Sequence, residues 1–548
     1  MRILVTLLML LLLLGCGDDR SSAFVASPRV DTSSGLVEGI AKEDVLAFKG
    51  IPYAEPPVGA GRFRPSVIKE RQQDVILAYD FGPACIQGSS SKVPEAGVAE
   101  DCLTINVWTP ALDGKERPVL VWLHGGGNIG GSGAEPRFDG EAFVRRGDVV
   151  LVTFNYRLGF LGFLDLSEMR GDEYHDSANN GLKDQMLALK WVRRNIHAFS
   201  GDPGNVTAFG ESAGGAALVG LLGTDHPEQL FDRAIIQSRS KLIRHSVAKD
   251  VSRIYRQLAA EISVESTEDW MAMDEETVLH LMTKMREHVA SGMEIEALHG
   301  PTHGEGLVIP MLPEERLRTG HASELEIMIG TTMDESRLWA DGDPTLCERD
   351  PFHNELTEGN PLLGLAALIM AKVVKLDITG VDPNRKSFTD GQAMLSITDE
   401  IFFRIPSFDF ADAHVDGGGK TYMYIFEYPV NRPDNCLHNS SPHAVEIPFV
   451  FHNLDDAFNL KRIGPARDEK DAKARQDLAD TTQDAWLSFS RSGDPNVEGT
   501  PLGVWPLYDG VNRPTLVLSA NPRVANNPFG FERTLLKMFG ADELDLFE

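Results

Sequence analysis

Basic residues are scarce in this chain. Lys and Arg number 52 against 81 Asp and Glu, a net charge of −29 over 548 residues. A nucleic-acid surface needs a basic stripe against phosphate, so that function class is excluded. The same repulsion weakens docking on anionic lipid. Cysteine is rarer, with five residues. No two of them stand at zinc spacing and no H-E-x-x-H occurs, so neither a metal nor another cofactor is implied. One stretch, HVDGGGKT at 414–421, ends like a phosphate loop. The first glycine of that pattern would fall at His414, so the stretch reads as a hairpin turn. There is no internal repeat and no long low-complexity linker. What remains is ordinary for a globular protein, 42% hydrophobic and 24% charged, and long enough to bury a sizeable core.

Long apolar runs are missing too, except at the start. Ile3–Leu14 follows one early charge, Arg2. The run is short for a membrane span and fits a secretory h-region. Leu13-Leu14-Gly15-Cys16 resembles the lipobox of bacterial lipoproteins, where the cysteine is lipidated and becomes the mature N-terminus. Leu14 departs from the small or β-branched residue usual there, and a plain signal peptide cut nearby is the alternative. The resemblance implies a signal peptide over 1–16, lipidated Cys16, a tether over 17–28 and a single domain over 29–548. It implies an exported protein held to a bacterial envelope membrane by lipid alone, or else soluble in the periplasm or medium. Disulfides are allowed there. With Cys16 taken by lipid, Cys85, Cys102, Cys347 and Cys436 remain, and the sequence alone leaves their pairing open.

After the tether, β-like and helical runs alternate. PVLVWLHGGG (118–127), DVVLVTFNYR (148–157), NVTAF (205–209), RAIIQS (233–238), EIMIG (326–330) and TYMYIFEY (421–428) read as strands. Within 181–199, Leu182, Met186, Leu189, Val192 and Ile196 recur at helical spacing. Such alternation predicts an α/β fold, a large mostly parallel sheet flanked by helices. Sites in such sheets form at the carboxyl ends of strands. Residues 240–320, rich in Glu, Met and His, read as a helical insertion packed over the sheet.

FGESAGG at 209–215 follows one of these strands. With 51 glycines, the pattern G-x-S-x-G is expected by chance roughly 0.3 times. The context is what raises it. A β run enters the turn and small residues leave it, as a strand–turn–helix nucleophile elbow requires. A serine that merely capped a helix would need no glycine on both sides. HGGG at 124–127 also ends a strand. Three successive glycines suit a loop whose N–H groups face a ligand, as the oxyanion of acyl transfer demands. A flexible turn is the plainer reading, and GSG at 131–133 is taken as one. HGGG paired with a downstream G-x-S-x-G is more specific than either alone.

These motifs, with FKGIPYAEPPVGAGRF (48–63), EDCLTINVWTP (100–110), NYRLGFLGFL (155–164) and SGDPN (492–496), resemble the type-B carboxylesterases of the α/β-hydrolase superfamily, which includes the cholinesterases. The likeness runs from about residue 34 to 510. It implies a large mixed sheet, a Ser–Glu–His triad and two-step hydrolysis of small-molecule carboxylic esters. Ser212 takes the nucleophile's place. Glu335 in IGTTMDESRLW (329–339) takes the acid's, with Asp334 beside it and Ser336 where the family has glycine. SPHAVEIPFVFHN (441–453) makes His443 the base, among His353, His414, His438 and His452, and Glu446 a buried supporting acid. The backbone N–H groups of Gly126, Gly127 and Ala213 become oxyanion donors. Glu211 lines the pocket floor, and Cys85–Cys102 is the family's first disulfide. Cys347 and Cys436 are left over. QSRS (237–240) departs from the family's Gln-Ser-Gly, and Arg239 is expected near the pocket rim. In the cholinesterase branch a key tryptophan lies in the loop of that first disulfide. Residues 86–100 here hold no aromatic residue, so a general esterase is expected. Two rival classes are a non-catalytic binding protein on the same fold, disfavoured by the complete triad, and an amidase or peptidase. The sequence sets no oligomeric state.

Overall fold

The computed structural model describes residues 27–538, apart from 89–92, 240–241, 289–298, 342–346, 348–368, 377–380, 383–385 and 434. The signal peptide, Cys16, most of the tether and His353 lie outside the described residues.

Eleven strands form the central sheet. In chain order they are β1 (Ile40–Lys42), β2 (Val45–Pro52), β3 (Thr104–Thr109), β4 (Arg117–Leu123), β5 (Val150–Phe154), β6 (Gly201–Glu211), β7 (Arg233–Gln237), β8 (Glu326–Thr332), β9 (Thr421–Phe426), β10 (Pro514–Leu518) and β11 (Arg523–Asn526). Across the sheet they run β1-β2-β3-β5-β4-β6-β7-β8-β9-β10-β11. Neighbours from β5 to β10 pair in parallel. The pairs at either edge are antiparallel. This is an α/β-hydrolase sheet, mixed overall with a parallel centre.

Strand β4 shows why these residues choose this place. Val119, Val121 and Leu123 face one apolar cluster, with Leu182 and Val192 of helix Asn180–Asn195 and Leu218 of helix Ala213–Leu222. Leu120 and Trp122 face a second, with Phe143 and with Trp486 of helix Glu469–Ser492. Both faces of the strand are covered, so the sequence is continuously apolar instead of alternating. Each large side chain buried this way contributes roughly 1.5–3 kcal/mol. The parallel centre then delivers the loops after β4, β6, β7, β8 and β9 to one edge.

The 240–320 stretch holds helices His245–Ala260, Thr267–Ala272 and Glu275–His288. Tyr255, Trp270 and Leu281 form a cluster with Ile129, Phe160 and Leu164. Those three belong to the chain after β4 and β5, so these helices pack beside the sheet, while Ile309 and Leu317 of the same stretch join the cluster on the sheet itself. The 414–421 stretch is no hairpin turn. His414 lies within helix Ile405–Asp416 and Thr421 opens β9, so the glycines join a helix to a strand. His414 is buried, with Nδ1 2.8 Å from Thr421 Oγ1, and burial lowers its pKa to about 4. Among the described residues no helix is long and apolar enough to cross a membrane. Disulfides join Cys85 to Cys102 and Cys347 to Cys436, which fits an oxidising compartment.

Candidate active site

Ser212 stands between β6 and helix Ala213–Leu222 with φ 58° and ψ −120°. A non-glycine residue there is strained by about 1–3 kcal/mol. The turn is held by the Ser212 N–H donating to Gln237 O at 2.9 Å on β7. Gly214 explains the pattern around it. A Cβ at that position would lie 2.1 Å from Leu123 O, so any side chain would push the helix off β4. Ser212 itself is half-buried and accessible.

The loop after β4 comes to the same place. A Cβ on Gly125 would lie 2.8 Å from Glu211 Oε2 and 3.0 Å from the Ser212 Cβ. Gly126 has φ 113°, where L side chains are disfavoured. No backbone hydrogen bond among the described residues takes up the N–H of Gly126, Gly127 or Ala213. The GSG at 131–133 is not a flexible turn. Gln87 bonds both the N–H and the carbonyl of Gly131, and Asn155 Oδ1 accepts from Ser132 Oγ and the Gly133 N–H.

His443 arrives on the loop after β9, and Glu335 on the loop after β8. His443 Nδ1 lies 2.6 Å from Glu335 Oε2. Glu335 Oε1 accepts from Ser238 Oγ at 2.7 Å and from the Thr332 N–H at 2.6 Å. The other ring nitrogen, Nε2, lies 3.0 Å from Oε1 of Glu211. His443 is 4% exposed, Glu211 3% and Glu335 0%. Trp339 and Phe403 each lie with ring centroid 5.2 Å from the imidazole.

Burial dominates the electrostatics. It pushes the carboxyls of Glu211, Glu335 and Glu446 up to about 7. The His443 charge pulls Glu211 back. For Glu335 the opposing pull is its hydrogen bonds from Ser238 and Thr332. Glu446 Oε1 accepts from Gln237 Nε2 at 3.1 Å. Nearby, burial lowers the Arg462 guanidinium to about 10. Its Nη2 donates to His443 O at 2.9 Å.

Several supporting residues gave no sequence signal. Asp399 Oδ1 accepts from the Ser336 N–H at 2.6 Å. Arg404 Nη2 donates to Met333 O at 2.6 Å. These two, 3.3 Å apart, grip the acid loop on both sides of Glu335. Asp334 Oδ2 accepts from the Ser441 N–H at 2.8 Å, so it ties the acid loop to the histidine loop and leaves the ring to Glu335. Cys347–Cys436 links the same two loops farther out. Arg239 is not at a pocket rim. It is 2% exposed, paired with Glu314 at 2.5 Å and bonded to Pro406 O at 2.7 Å. His452 bonds Asp480 at 2.8 Å, away from this cluster. Among the described residues no group of three or more His, Cys, Asp or Glu is arranged to hold a metal ion.

An imidazole oriented by a carboxylate, a strained serine turn and backbone N–H groups left over by the backbone ladder, gathered at one sheet edge, are the equipment that acyl transfer uses. Known proteins agree with it. The model of the carboxylesterase family matches residues 26–533. A para-nitrobenzyl esterase of Bacillus subtilis is 34% identical over 516 residues, covering 92% of this chain and 98% of that protein. An acetylcholinesterase of Bungarus fasciatus is 30% identical over 536 residues, covering 90% and 83%. The crystal structure of a Geobacillus stearothermophilus carboxylesterase superposes with a TM-score of 0.77 at 36% identity, covering 92% and 99%.

Proposed function

Because the chain belongs to the carboxylesterase family and is a carboxylic ester hydrolase, we propose that Ser212 is its nucleophile, His443 its general base and Glu335 the acid that orients the histidine. The observation that carries this reading is the 2.6 Å contact between His443 Nδ1 and Glu335 Oε2, beside a serine held at φ 58°. Glu335 fixes the tautomer with the proton on Nδ1 and offsets the imidazolium that forms. Nε2 takes the Ser212 proton as Oγ adds to the ester carbonyl. The N–H groups of Gly126, Gly127 and Ala213 receive the oxyanion. The imidazolium then protonates the departing alcohol. Water repeats the sequence on the acyl-enzyme and releases the acid. For Nε2 to serve Ser212, it must leave its 3.0 Å approach to Glu211 Oε1. An organophosphate is expected to label Ser212 alone, and Ser212→Ala to lose nearly all turnover while still binding substrate. Substantial esterase activity in Ser212→Ala overturns the assignment.

The substrate reading is a general carboxylesterase. Residues 86–100, the loop closed by Cys85–Cys102, offer no aromatic face for a quaternary ammonium. A net charge of −29 steers cations but is screened within about 8 Å at physiological salt. A choline ester and its neutral isostere should show similar kcat/KM. A large preference for choline that survives high salt contradicts this, with Trp339 the first aromatic to suspect. At the other end of the chain, we read Cys16 as the lipid anchor. Wild type should then fractionate with membranes and Cys16→Ser as soluble, active enzyme. Unlipidated wild type in the soluble fraction would indicate an ordinary signal peptide.

A further inference from the structure

The loop after β4 takes a conformation that calls for support from outside it. Gly126, Gly127 and Asn128 follow one another at φ 113°, 61° and 55°. Glycine enters that half of the map freely, but other residues do so singly and at a cost. Asparagine is among the few side chains tolerated there. Within the turn, Gly126 O accepts from the N–H groups of Ile129 at 3.2 Å and Gly130 at 3.1 Å. The bonds that fix Asn128 reach farther. Its carbonyl accepts from the Gly159 N–H at 2.6 Å, after β5. Its side-chain Nδ2 donates to His299 O at 3.0 Å, while Oδ1 is buried without a hydrogen-bond partner. The amide, 4% exposed, thus makes its one side-chain bond with His299. The His299 ring is tied in turn, with Nε2 2.7 Å from the hydroxyl of Tyr255 on helix His245–Ala260. Both residues are buried. A hydrogen-bonded path therefore runs from the 240–320 stretch to the loop after β4.

The φ of Asn128 bears directly on Gly127. Downstream, Gln87 holds both the N–H and the carbonyl of Gly131, so the chain after Asn128 is fixed. Relaxation of Asn128 to negative φ would turn the peptide before it and carry Gly127 along. We propose that Asn128 is the positioning residue of the oxyanion loop, and that His299 and Tyr255 make the 240–320 stretch part of its support. The inference rests on the reading that the Gly126 and Gly127 N–H groups receive the oxyanion. Asn128 touches no reacting atom. It acts by keeping two donors aimed at the place where charge develops, and such donors work because they need no reorganisation during the reaction. A small misplacement of a reacting group is enough to slow the chemistry.

The test compares Asn128→Gly and Tyr255→Phe with the wild-type full chain. Glycine accepts φ 55° without strain, so Asn128→Gly leaves the backbone conformation open and removes the tether. On a neutral ester it should lower kcat by about tenfold with KM within about twofold. Two inhibitors separate aiming from substrate binding. An alkyl trifluoromethyl ketone adds the Ser212 Oγ, the serine proton passes to His443, and the ketone oxygen becomes an oxyanion. The matching methyl ketone stays a carbonyl. Asn128→Gly should weaken the first by about tenfold and leave the second within about twofold. Tyr255→Phe should move the same readings in the same direction, severalfold, and it decides the matter if Asn128→Gly does not fold. A folded Asn128→Gly with wild-type kcat overturns the proposal. So does an equal loss of both ketones, because a loop that only shapes the pocket weakens both. A Tyr255→Phe indistinguishable from wild type overturns the support assigned to the 240–320 stretch. A wild type that binds both ketones alike fails the acyl-transfer reading itself, whereas a wild-type preference kept by both variants fails this inference alone.

Discussion

Two carboxylates meet the same imidazole, and they are built differently. Glu335 reaches Nδ1 at 2.6 Å while its second oxygen is held by Ser238 and Thr332. Glu211 approaches Nε2 at 3.0 Å, and its Oε1 closes no hydrogen bond. Burial raises both to about 7, so proton affinity does not tell them apart. Anchoring does. Glu335 cannot leave the ring without breaking two other bonds, so it can orient the base through a whole turnover. Glu211 can release Nε2 when Ser212 needs it.

The sharpest way to break this contrast is to neutralise each acid in turn. Glu335→Gln should cut kcat by roughly 10³- to 10⁴-fold, because an amide can stabilise the wrong tautomer and carries no charge for the imidazolium. Glu211→Gln keeps the shape, and should cost about tenfold. Steady-state kinetics on a neutral ester decide it. A larger loss for Glu211→Gln would invert the roles.

The next largest effect concerns the anchoring itself. Asp399 and Arg404 hold Ser336, just after the acid, and Met333, two residues before it. Arg404→Met should lower kcat about 10- to 100-fold with KM little changed, as expected when a reacting group shifts by a fraction of an ångström. It should also lower stability, since breaking a buried pair costs about 3–5 kcal/mol. A folded Arg404→Met with full kcat shows that Ser238 and Thr332 suffice.

The sequence reports this site unevenly, and the reason is distance along the chain. The elbow is local. Strain at Ser212 and the close approach at Gly214 demand glycines at fixed offsets, so FGESAGG carries its own geometry. The alternation of strands is local too, and it forecasts the parallel centre, but not the exchange that sets β4 between β5 and β6. Glu335 is one acid among 81, and only likeness to a family singles it out. Asp399 bonds a residue 63 positions away, and nothing in TDEIFFRIP announces it. Arg239 shows the converse. Its position at the end of β7 pointed to the pocket, but a long side chain can turn inward, and Glu314 gives it a buried partner.

A third carboxyl separates burial from catalysis. Glu446 is fully buried and shares the rise to about 7, yet its hydrogen bond is from Gln237 and not from the imidazole. Its folded-state pKa lies above the ordinary 4.5. The folded state therefore binds more protons between pH 4.5 and 7, and stability falls as pH rises through that window. Glu446→Gln removes this dependence. The variant should gain up to about 3 kcal/mol on wild type between pH 5 and pH 8. A constant offset from its unpaired amide should leave that slope unchanged. Denaturant titrations at the two pH values measure it. A pH-independent difference means that Glu446 is ionised throughout.

The smallest expected effect is at Ser336, where the family's glycine is missing. A glycine is needed only if the backbone takes φ between about +20° and +160°. Ser336 is not among the residues with positive φ. Its N–H is committed to Asp399, and that bond belongs to the backbone. Ser336→Gly therefore keeps the bond that positions the acid. It loses only a small side chain and gains unfolded-state freedom, a cost of about 0.4–1 kcal/mol. Thermal unfolding should show that modest loss, with kcat/KM within about twofold of wild type. A rise in kcat well beyond twofold would mean that the serine displaces Glu335, and that the hold on this acid is less firm than its hydrogen bonds imply.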